Sequence, residues 1–319
     1  MKLPKGIRWF ALVSMLLVFV MITTGCTESI IVLDPKGPIA EQQRDLMVIS
    51  TILVLIVIVP VLLMTAIIVW RYRDKKGRKA KYTPEWSHST KLELIWWGIP
   101  ILIIIVLGGV TVKYSYALEP SKPIESAKEP ITIQVTSLDW KWLFQYPEQG
   151  IATVNYVAFP EDVPVRFEIT ADSPMNSFWI PQLGGQIYAM SGMAMTLYLQ
   201  ADEAGEYWGS GANFTGREFA QMYFDVHATS QEEFDQWVSE VKATSPALTL
   251  EGYNKLREPA ASEQLKFSAF PEHLFENTVT KYAASSHGHH HMPSSASETK
   301  EHSDAADHSE HITEQEHQH

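Results

Sequence analysis

The sequence contains a single cysteine, Cys26, among its 319 residues. One thiol excludes an intrachain disulfide and excludes any metal site built from two thiolates of this chain. Positive charge is also scarce, because 25 lysines and arginines stand against 37 aspartates and glutamates and leave a formal net charge of −12. Nucleic-acid binding needs clustered positive charge to neutralise phosphates, so the composition predicts no nucleic-acid partner.

Apolar residues are concentrated in the first third of the chain, in three long runs. The first run, residues 9–22, follows a basic start and is followed by small residues up to Cys26, which is the pattern of a secretory signal peptide. We therefore assign residues 1–25 as a signal peptide and residues 26–46 as an N-terminal segment on the outer side of the membrane.

Gly25 and Cys26 resemble the end of the lipobox of bacterial lipoproteins, in which the thiol is diacylated and becomes the mature N-terminus. Thr23 departs from that pattern, because the family usually has leucine there. The resemblance implies a lipid anchor on Cys26. The alternative is that Cys26 is an unmodified residue in an uncleaved first helix.

Two further apolar runs are long enough to span a bilayer. Residues 47–70 would cover roughly 36 Å at about 1.5 Å per residue, which exceeds a hydrocarbon core of about 30 Å. Residues 94–112 carry no charged side chain. The segment between them, residues 71–93, contains eight lysines and arginines and is therefore predicted to be cytoplasmic. This topology places Cys26 and everything after Ala117 on the outer face of the plasma membrane.

After a linker at residues 113–128, alternating apolar and polar residues predict β-strands with one buried face. Several short strands separated by proline and glycine indicate a β-sandwich or small barrel, which we place at residues 129–228. The alternating apolar positions are Ile131, Ile133, Val135, Val165, Phe167, Ile169, Met195, Leu197 and Leu199.

Three segments resemble subunit II of heme-copper oxidases. Residues 90–96 with Pro100 resemble the start of its second membrane helix. Residues 139–147 resemble its aromatic segment, and residues 176–181 resemble its first copper loop. The resemblance covers the chain from about residue 26 to residue 228. It implies a membrane α-helical hairpin followed by an all-β, cupredoxin-like Greek-key domain.

The copper ligands of that family are missing from this sequence. In cytochrome c oxidases, a histidine in the first loop and a Cys-x-Glu-x-Cys-x-x-x-His-x-x-Met second loop hold two copper ions through soft thiolates and imidazoles. One surviving thioether cannot hold two coppers, so we expect no metal in this chain. The corresponding positions are Asn176 for the first histidine, Gly211 and Thr215 for the cysteines, Asn213 for the glutamate, Phe219 for the second histidine, and Met222 for the methionine.

Loss of these ligands is characteristic of quinol oxidases, and residues 117–123 and 147–155 resemble that branch. The resemblance implies a proton-pumping quinol oxidase that reduces oxygen to water, with this chain as a structural and electron-entry subunit that binds no cofactor. Hemes and one copper would lie in subunit I. The implied partners are subunits I, III and IV, membrane lipid, and a quinol that is either menaquinol or ubiquinol.

Three side chains carry functional hypotheses with open alternatives. Glu93 matches a glutamate near the cytoplasmic mouth of a proton pathway in the family, so the resemblance implies proton entry. Otherwise Glu93 is an interfacial acid beside Lys91. Trp140 and Trp142 suit contact with another subunit, but packing within the domain would also explain them.

The C-terminal part divides into an extension and a tail. Ser230 and Glu233 match a capping box, which predicts an amphipathic helix packed on the barrel or bound to a partner. Residues 229–283 include a stretch that resembles the aromatic-rich extension of quinol-oxidase subunit II. Residues 284–319 are rich in histidine, and their composition predicts disorder. Metal capture by this tail, in a membrane lipoprotein, is one alternative function, and a cytochrome c oxidase subunit II is another.

Overall fold

The computed structural model describes residues 30–73 and 87–286, together with Ser14 and Glu85. The predicted signal peptide, Cys26 and the histidine-rich tail from residue 287 onward lie outside the described residues, apart from Ser14. Most of the basic residues of the predicted cytoplasmic loop also lie outside them.

Two long apolar helices cross the membrane. Helix α1 comprises Pro38–Tyr72 and helix α2 comprises Thr90–Ala117, and both are long and apolar enough to span a bilayer. The apolar side chains of both helices are largely exposed, as expected where lipid or another subunit replaces water. Each helix contains one internal proline, Pro60 or Pro100, which membrane helices tolerate better than soluble ones.

Both helices are longer than the predicted spans. Helix α1 starts at Pro38, so the last part of the predicted outer segment 26–46 is helical. Helix α2 starts at Thr90 and continues to Ala117, into the predicted linker. The difference has a physical cause: hydropathy locates the part of a helix that lies in lipid, whereas the helix itself continues into polar sequence until a residue interrupts it. Gly37 is extended, and Pro38 occupies the first helical position, where its missing N–H costs nothing.

The outer domain is a sandwich of two sheets that confirms the predicted cupredoxin-like class. The first sheet has the strand order β11-β3-β2-β1-β5-β8, and the second has the order β4-β10-β9-β6-β7. Strands β1 and β5 pair in parallel, as do β4 and β10, whereas the other pairs are antiparallel. The strands are β1 Ile131–Leu138, β2 Lys141–Tyr146, β3 Ile151–Val154, β4 Tyr156–Pro160, β5 Val165–Ala171, β6 Asn176–Trp179, β7 Ile187–Ala189, β8 Met195–Leu199, β9 Gly205–Gly211, β10 Tyr223–Thr229 and β11 Leu265–Phe267.

An aromatic core lies between the two sheets. The rings of Phe178 and Phe224 stack with centroids 5.2 Å apart, and Trp142 contacts both of them edge-on. Phe144 packs against the same pair. Burial of each such side chain stabilises the folded state by roughly 1.5–3 kcal/mol. This core fixes the positions of β6 and β10, which border the degenerate copper loop.

The C-terminal extension covers the outer face of the first sheet with the residues that follow its first helix. It contains helices α3 Gln231–Thr244, α4 Leu250–Leu256 and α5 Leu274–Ser286, and it adds strand β11 to the edge of that sheet. The sandwich is therefore not confined to residues 129–228, and the extension continues past residue 283. The prediction of a single buried face is wrong for β1, because nearly all its residues are buried. The second core contains Leu138, Leu143, Ala152, Val154, Leu248, Tyr253 and Leu274.

Helix α3 confirms the predicted capping box. The Ser230 side chain accepts from the Glu233 N–H, and the Glu233 carboxylate accepts from the Ser230 N–H at 3.1 Å. Phe234, Val238 and Val241 are buried in the core of the sandwich, so the apolar stripe packs within the chain.

The segment before helix α1 docks onto the sandwich through backbone hydrogen bonds. The Lys36 N–H donates to Gln182 O at 2.8 Å, and the Asp202 N–H donates to Lys36 O at 2.9 Å. The Ala40 N–H donates to Leu183 O at 3.2 Å. The first turn of a membrane helix is thus joined directly to the loops of the outer domain.

Candidate functional site

The degenerate copper positions lie at one end of the second sheet. Asn176 begins β6 and Gly211 ends β9, and the two strands are hydrogen-bonded neighbours. The connection from β9 to β10 carries the remaining positions and ends at Met222, immediately before β10. The fold therefore gathers both predicted copper loops at one edge.

Asn176 and Met222 fill the centre of this site. The Asn176 amide Nδ2 donates to Met222 Sδ at 2.8 Å, and its Oδ1 accepts from the Ser177 N–H at 2.8 Å. Both side chains are almost completely buried. The Gly211 N–H donates to Met222 O at 3.0 Å, which closes the loop around the pair.

Gly211 leaves room for this arrangement because it has no side chain. A Cβ atom at this position would lie 2.9 Å from Asn176 Oδ1 and 3.3 Å from Met222 Sδ. Real Cβ atoms essentially never approach as close as the first distance without displacement of a neighbour. Glycine at the first cysteine position thus permits the Asn176–Met222 contact.

Asn213 lies beside this centre. The Ser177 hydroxyl donates to Asn213 Oδ1 at 2.8 Å, and the Ala212 N–H donates to Ser177 O at 2.9 Å. Residues 212 and 213 are thereby tied to β6. The asparagine amide serves a structural hydrogen bond where the family has a glutamate.

Thr215 contacts the β1–β2 turn, and Phe219 contacts another residue of the β9–β10 connection. The Thr215 carbonyl accepts from Trp140 Nε1 at 3.3 Å, and the buried Thr215 hydroxyl has no hydrogen-bond partner among the residues that the structure describes. The Phe219 ring packs against Phe214, with centroids 5.7 Å apart. The structure thus brings Asn176, Gly211 and Met222 together, with Asn213 adjacent.

The side chains at this site do not fit a binuclear copper centre. The donor set consists of amides, hydroxyls and one thioether, whereas copper sites of this type need thiolate and imidazole ligands. The thioether of Met222 is already engaged with Asn176. Among the residues that the structure describes, no cluster of three or more His, Cys, Asp or Glu residues could hold a metal ion.

Comparison with known proteins gives two matches to one family. Residues 27–113 match the transmembrane domain of cytochrome c oxidase subunit II, and residues 149–229 match its periplasmic domain. The chain is 46% identical over 269 residues to the cytochrome bo(3) ubiquinol oxidase subunit 2 of Pseudomonas putida, and the alignment covers 84% of this chain and 85% of that protein. The chain belongs to the oxidase subunit II family.

Two further similarities come from a second quinol oxidase and from a solved structure. The quinol oxidase subunit 2 of Bacillus spizizenii is 47% identical over 259 residues, which cover 81% of this subunit II and 80% of that protein. The crystal structure of the periplasmic domain of cytochrome oxidase subunit II from Bradyrhizobium japonicum aligns with a TM-score of 0.36 and 21% identity. That alignment covers 38% of this chain and 98% of the solved chain.

The two tryptophans that are candidates for contact with another subunit, Trp140 and Trp142, have different positions. Trp142 is fully buried and packs against Phe178 and Phe224, so it offers no surface to another subunit and the contact prediction is wrong for it. The physical reason is strand alternation, which directs Trp142 toward the core of the sandwich. Trp140 is partly buried, has a positive φ of 60°, and donates to the Thr215 carbonyl of the loop.

A buried carboxylate, Asp172, was not predicted from the sequence. It accepts hydrogen bonds from Lys281 Nζ at 2.8 Å, Tyr282 OH at 2.6 Å and Tyr253 OH at 2.8 Å, and Arg257 Nε lies 2.7 Å from it. Burial raises the pKa of Asp172, but the hydrogen bonds and the Arg257 charge outweigh burial, and the net pKa is lowered. Asp172 thus ties the end of β5 to helices α4 and α5. No local sequence signal identifies it.

Glu93 lies in the first turn of helix α2, at the cytoplasmic end. Its Oε1 is 2.7 Å from Nδ1 of His88, and both side chains are solvent-accessible in the isolated subunit. No local sequence pattern marks His88 as a partner of Glu93. The two groups form a titratable pair at the edge of the membrane.

Proposed function

We propose that this subunit II belongs to a quinol:oxygen oxidoreductase, in which it is a non-catalytic structural and electron-entry partner of subunit I. The observation that carries the proposal is the closed loop centred on Asn176 and Met222, where amide and thioether contacts occupy the positions of the copper ligands. The names of the relatives support a quinol as the electron donor, since the relatives are ubiquinol or quinol oxidase subunits.

The proposal assigns the redox chemistry to other parts of the complex. Without thiolate or imidazole side chains at the six copper-ligand positions, the β6 and β9–β10 loops would offer no copper centre to electrons from cytochrome c. Electrons therefore come from menaquinol or ubiquinol. The hemes and one copper belong to subunit I, where oxygen is reduced to water, and subunits III and IV complete the assembly.

The proposal places the chain in the bacterial plasma membrane with two attachments. Helices α1 and α2 span the bilayer, and diacylation of Cys26 adds a lipid anchor on the outer face. Two acyl chains would contribute about 0.8 kcal/mol per buried methylene. The supporting observations are the basic segment between the helices and the lipobox-like Gly25-Cys26 pair.

Proton uptake is the second role that we propose. Glu93 lies at the cytoplasmic end of helix α2, where a carboxylate can take protons from water and pass them into the complex. Its contact with His88, at 2.7 Å, supports this role because both groups exchange protons. Proton translocation by the complex would use this entry.

The test uses the intact complex purified through this subunit. We expect oxygen consumption with a short-chain quinol and only background consumption with reduced cytochrome c. Metal analysis should give one copper for each subunit I and none attributable to this chain. Rapid oxidation of reduced cytochrome c without quinol activity, or three coppers per complex, would refute the proposal.

A single substitution at Met222 tests whether this loop binds copper. Met222→Leu removes the thioether that remains from the copper motif but keeps an apolar side chain of similar volume. If no copper is bound here, this variant should retain the copper content and the quinol oxidase activity of the wild type. A loss of copper from a variant that still assembles in wild-type yield would show that the thioether is a ligand.

A further inference from the structure

The β9–β10 loop, residues 212–222, has little regular structure of its own. It contains one short 3-10 turn, Phe219–Gln221, and a glycine with positive φ, Gly216. Loops of this kind open easily unless side chains from elsewhere hold them. The contacts that hold its first residues come from β6, through Ser177.

The later part of the loop is bonded to the C-terminal extension. The Glu218 carboxylate accepts from the backbone N–H of Ala261 at 2.6 Å. Ala261 lies in the connection between α4 and β11, and 43 positions separate it from Glu218. A charged acceptor makes this bond stronger than a neutral one.

The connection that contains Ala261 is itself anchored on the sandwich. Lys141 Nζ donates to Glu258 O at 2.8 Å and to Ala260 O at 2.5 Å. Asn155 Nδ2 donates to Ser262 O at 2.8 Å. We call residues 258–264 the strap. Lys141 is almost completely buried, and burial lowers its pKa.

Two adjacent residues, Trp140 and Lys141, also connect the strap and the loop. Trp140 donates to the Thr215 carbonyl in the loop, whereas Lys141 donates to the strap. Trp140 adopts a left-handed backbone conformation with a φ of 60°, which is uncommon for a bulky residue. Such a conformation persists only where surrounding contacts fix it. Loop, strap and the β1–β2 turn therefore form one connected unit.

We propose that the strap of the C-terminal extension holds the β9–β10 loop closed, and that Glu218 couples the two. The strap thus supplies a cross-link between this loop and a distant part of the chain. Removal of a strap contact should loosen the loop even where the altered residue does not touch the loop. This inference is independent of the identity of the electron donor.

The test is hydrogen exchange by mass spectrometry on the purified complex. Glu218→Ala removes the acceptor, and Glu218→Gln restores an acceptor oxygen. We expect Glu218→Ala to increase exchange in residues 212–222 by about tenfold, with Glu218→Gln closer to the wild type. The control is Glu206→Ala, which removes an exposed carboxylate on β9 that lies 3.9 Å from His227.

A second variant tests the coupling from the strap side. Lys141→Met keeps an apolar stem but removes the donors to Glu258 and Ala260. We expect faster exchange in both the strap and the loop, while β1 and β5 keep their protection. The proposal is wrong if the strap loosens in Lys141→Met and the loop remains protected. It is also wrong if Glu218→Ala leaves residues 212–222 unchanged.

Discussion

The side-chain amide of Asn176 donates a hydrogen bond to the sulfur of Met222 across 2.8 Å, and both groups are buried. In the family pattern both positions are copper ligands. The two residues therefore remain neighbours after the ligand chemistry has been lost, because β6 and β9 still bring their loops together. The contact between Asn176 and Met222 requires the space that the missing side chain of Gly211 leaves free.

Substitution of Gly211 by alanine should destabilise the outer domain. The new Cβ would lie 2.9 Å from Asn176 Oδ1, so the amide or the loop must move. We expect a loss of roughly 1–3 kcal/mol in the free energy of unfolding, the usual cost of overpacking a core. Gly205→Ala, at the other end of β9, is the control because its Cβ would make an ordinary contact of 3.5 Å. Equal denaturant midpoints for the two variants would contradict the prediction.

Asp172→Asn should weaken the attachment of the C-terminal extension. The variant leaves Arg257 and Lys281 without their carboxylate partner. We therefore expect the free energy of unfolding to fall by roughly 1–3 kcal/mol. Because the folded pKa of Asp172 is lowered, its contribution is present above the unfolded pKa of about 3.9 and is lost as the pH falls through the folded pKa. The stability difference between wild type and variant should therefore shrink below about pH 4.

The measurement is denaturant unfolding of the full chain at several pH values. Asp235→Asn is the matched control, since Asp235 accepts a hydrogen bond from Gln231 within helix α3 and has no part in the cluster. A stability difference for Asp172→Asn that stays constant down to about pH 3 would contradict the linkage argument.

Features that depend on residues close together in the sequence could be predicted. The capping box depends on two residues three positions apart, and the membrane helices depend on continuous apolar runs, so local pattern was sufficient for both. The exact helix ends could not be predicted, since Pro38 begins helix α1 in polar sequence. The copper-ligand positions could be assigned only through the resemblance to oxidase subunit II, because no local pattern in this sequence marks them.

Features that depend on distant partners could not be predicted. Asp172 is an ordinary loop aspartate in the sequence, and its partners lie 81 to 110 positions further along the chain. The sequence leaves both subunit contact and core packing open for Trp142, because aromatic composition does not distinguish a core from an interface. Its burial comes from the second sheet, because Phe178 and Phe224 pack against its ring.

Glu93→Gln should slow quinol oxidation if this carboxylate delivers protons. The amide keeps the size and a hydrogen-bonding group near His88 but cannot carry a proton, so we expect turnover to fall by about tenfold. Oxygen consumption by the purified complex measures the effect. Glu119→Gln, beyond the outer end of helix α2, is the control. Unchanged turnover in Glu93→Gln would show that Glu93 is an interfacial acid without a role in proton entry.

Gly37→Ala should detach the outer domain from helix α1. A Cβ at this position would lie 2.0 Å from Gln200 O, a backbone atom that cannot rotate away. The neighbouring Lys36 N–H would then lose its bond to Gln182 O, and the Lys36 Nζ would separate from Glu203, now 3.0 Å away.

Trypsin cleavage after Lys36 reports this detachment, because a protease needs the backbone released from the sandwich. We expect cleavage of the assembled complex to accelerate by at least about tenfold in Gly37→Ala. Gly252→Ala is the control, since its Cβ would meet no atom closer than 3.4 Å and alanine favours helix α4. Wild-type cleavage rates in Gly37→Ala would mean that the helix and the sandwich are held together by other contacts.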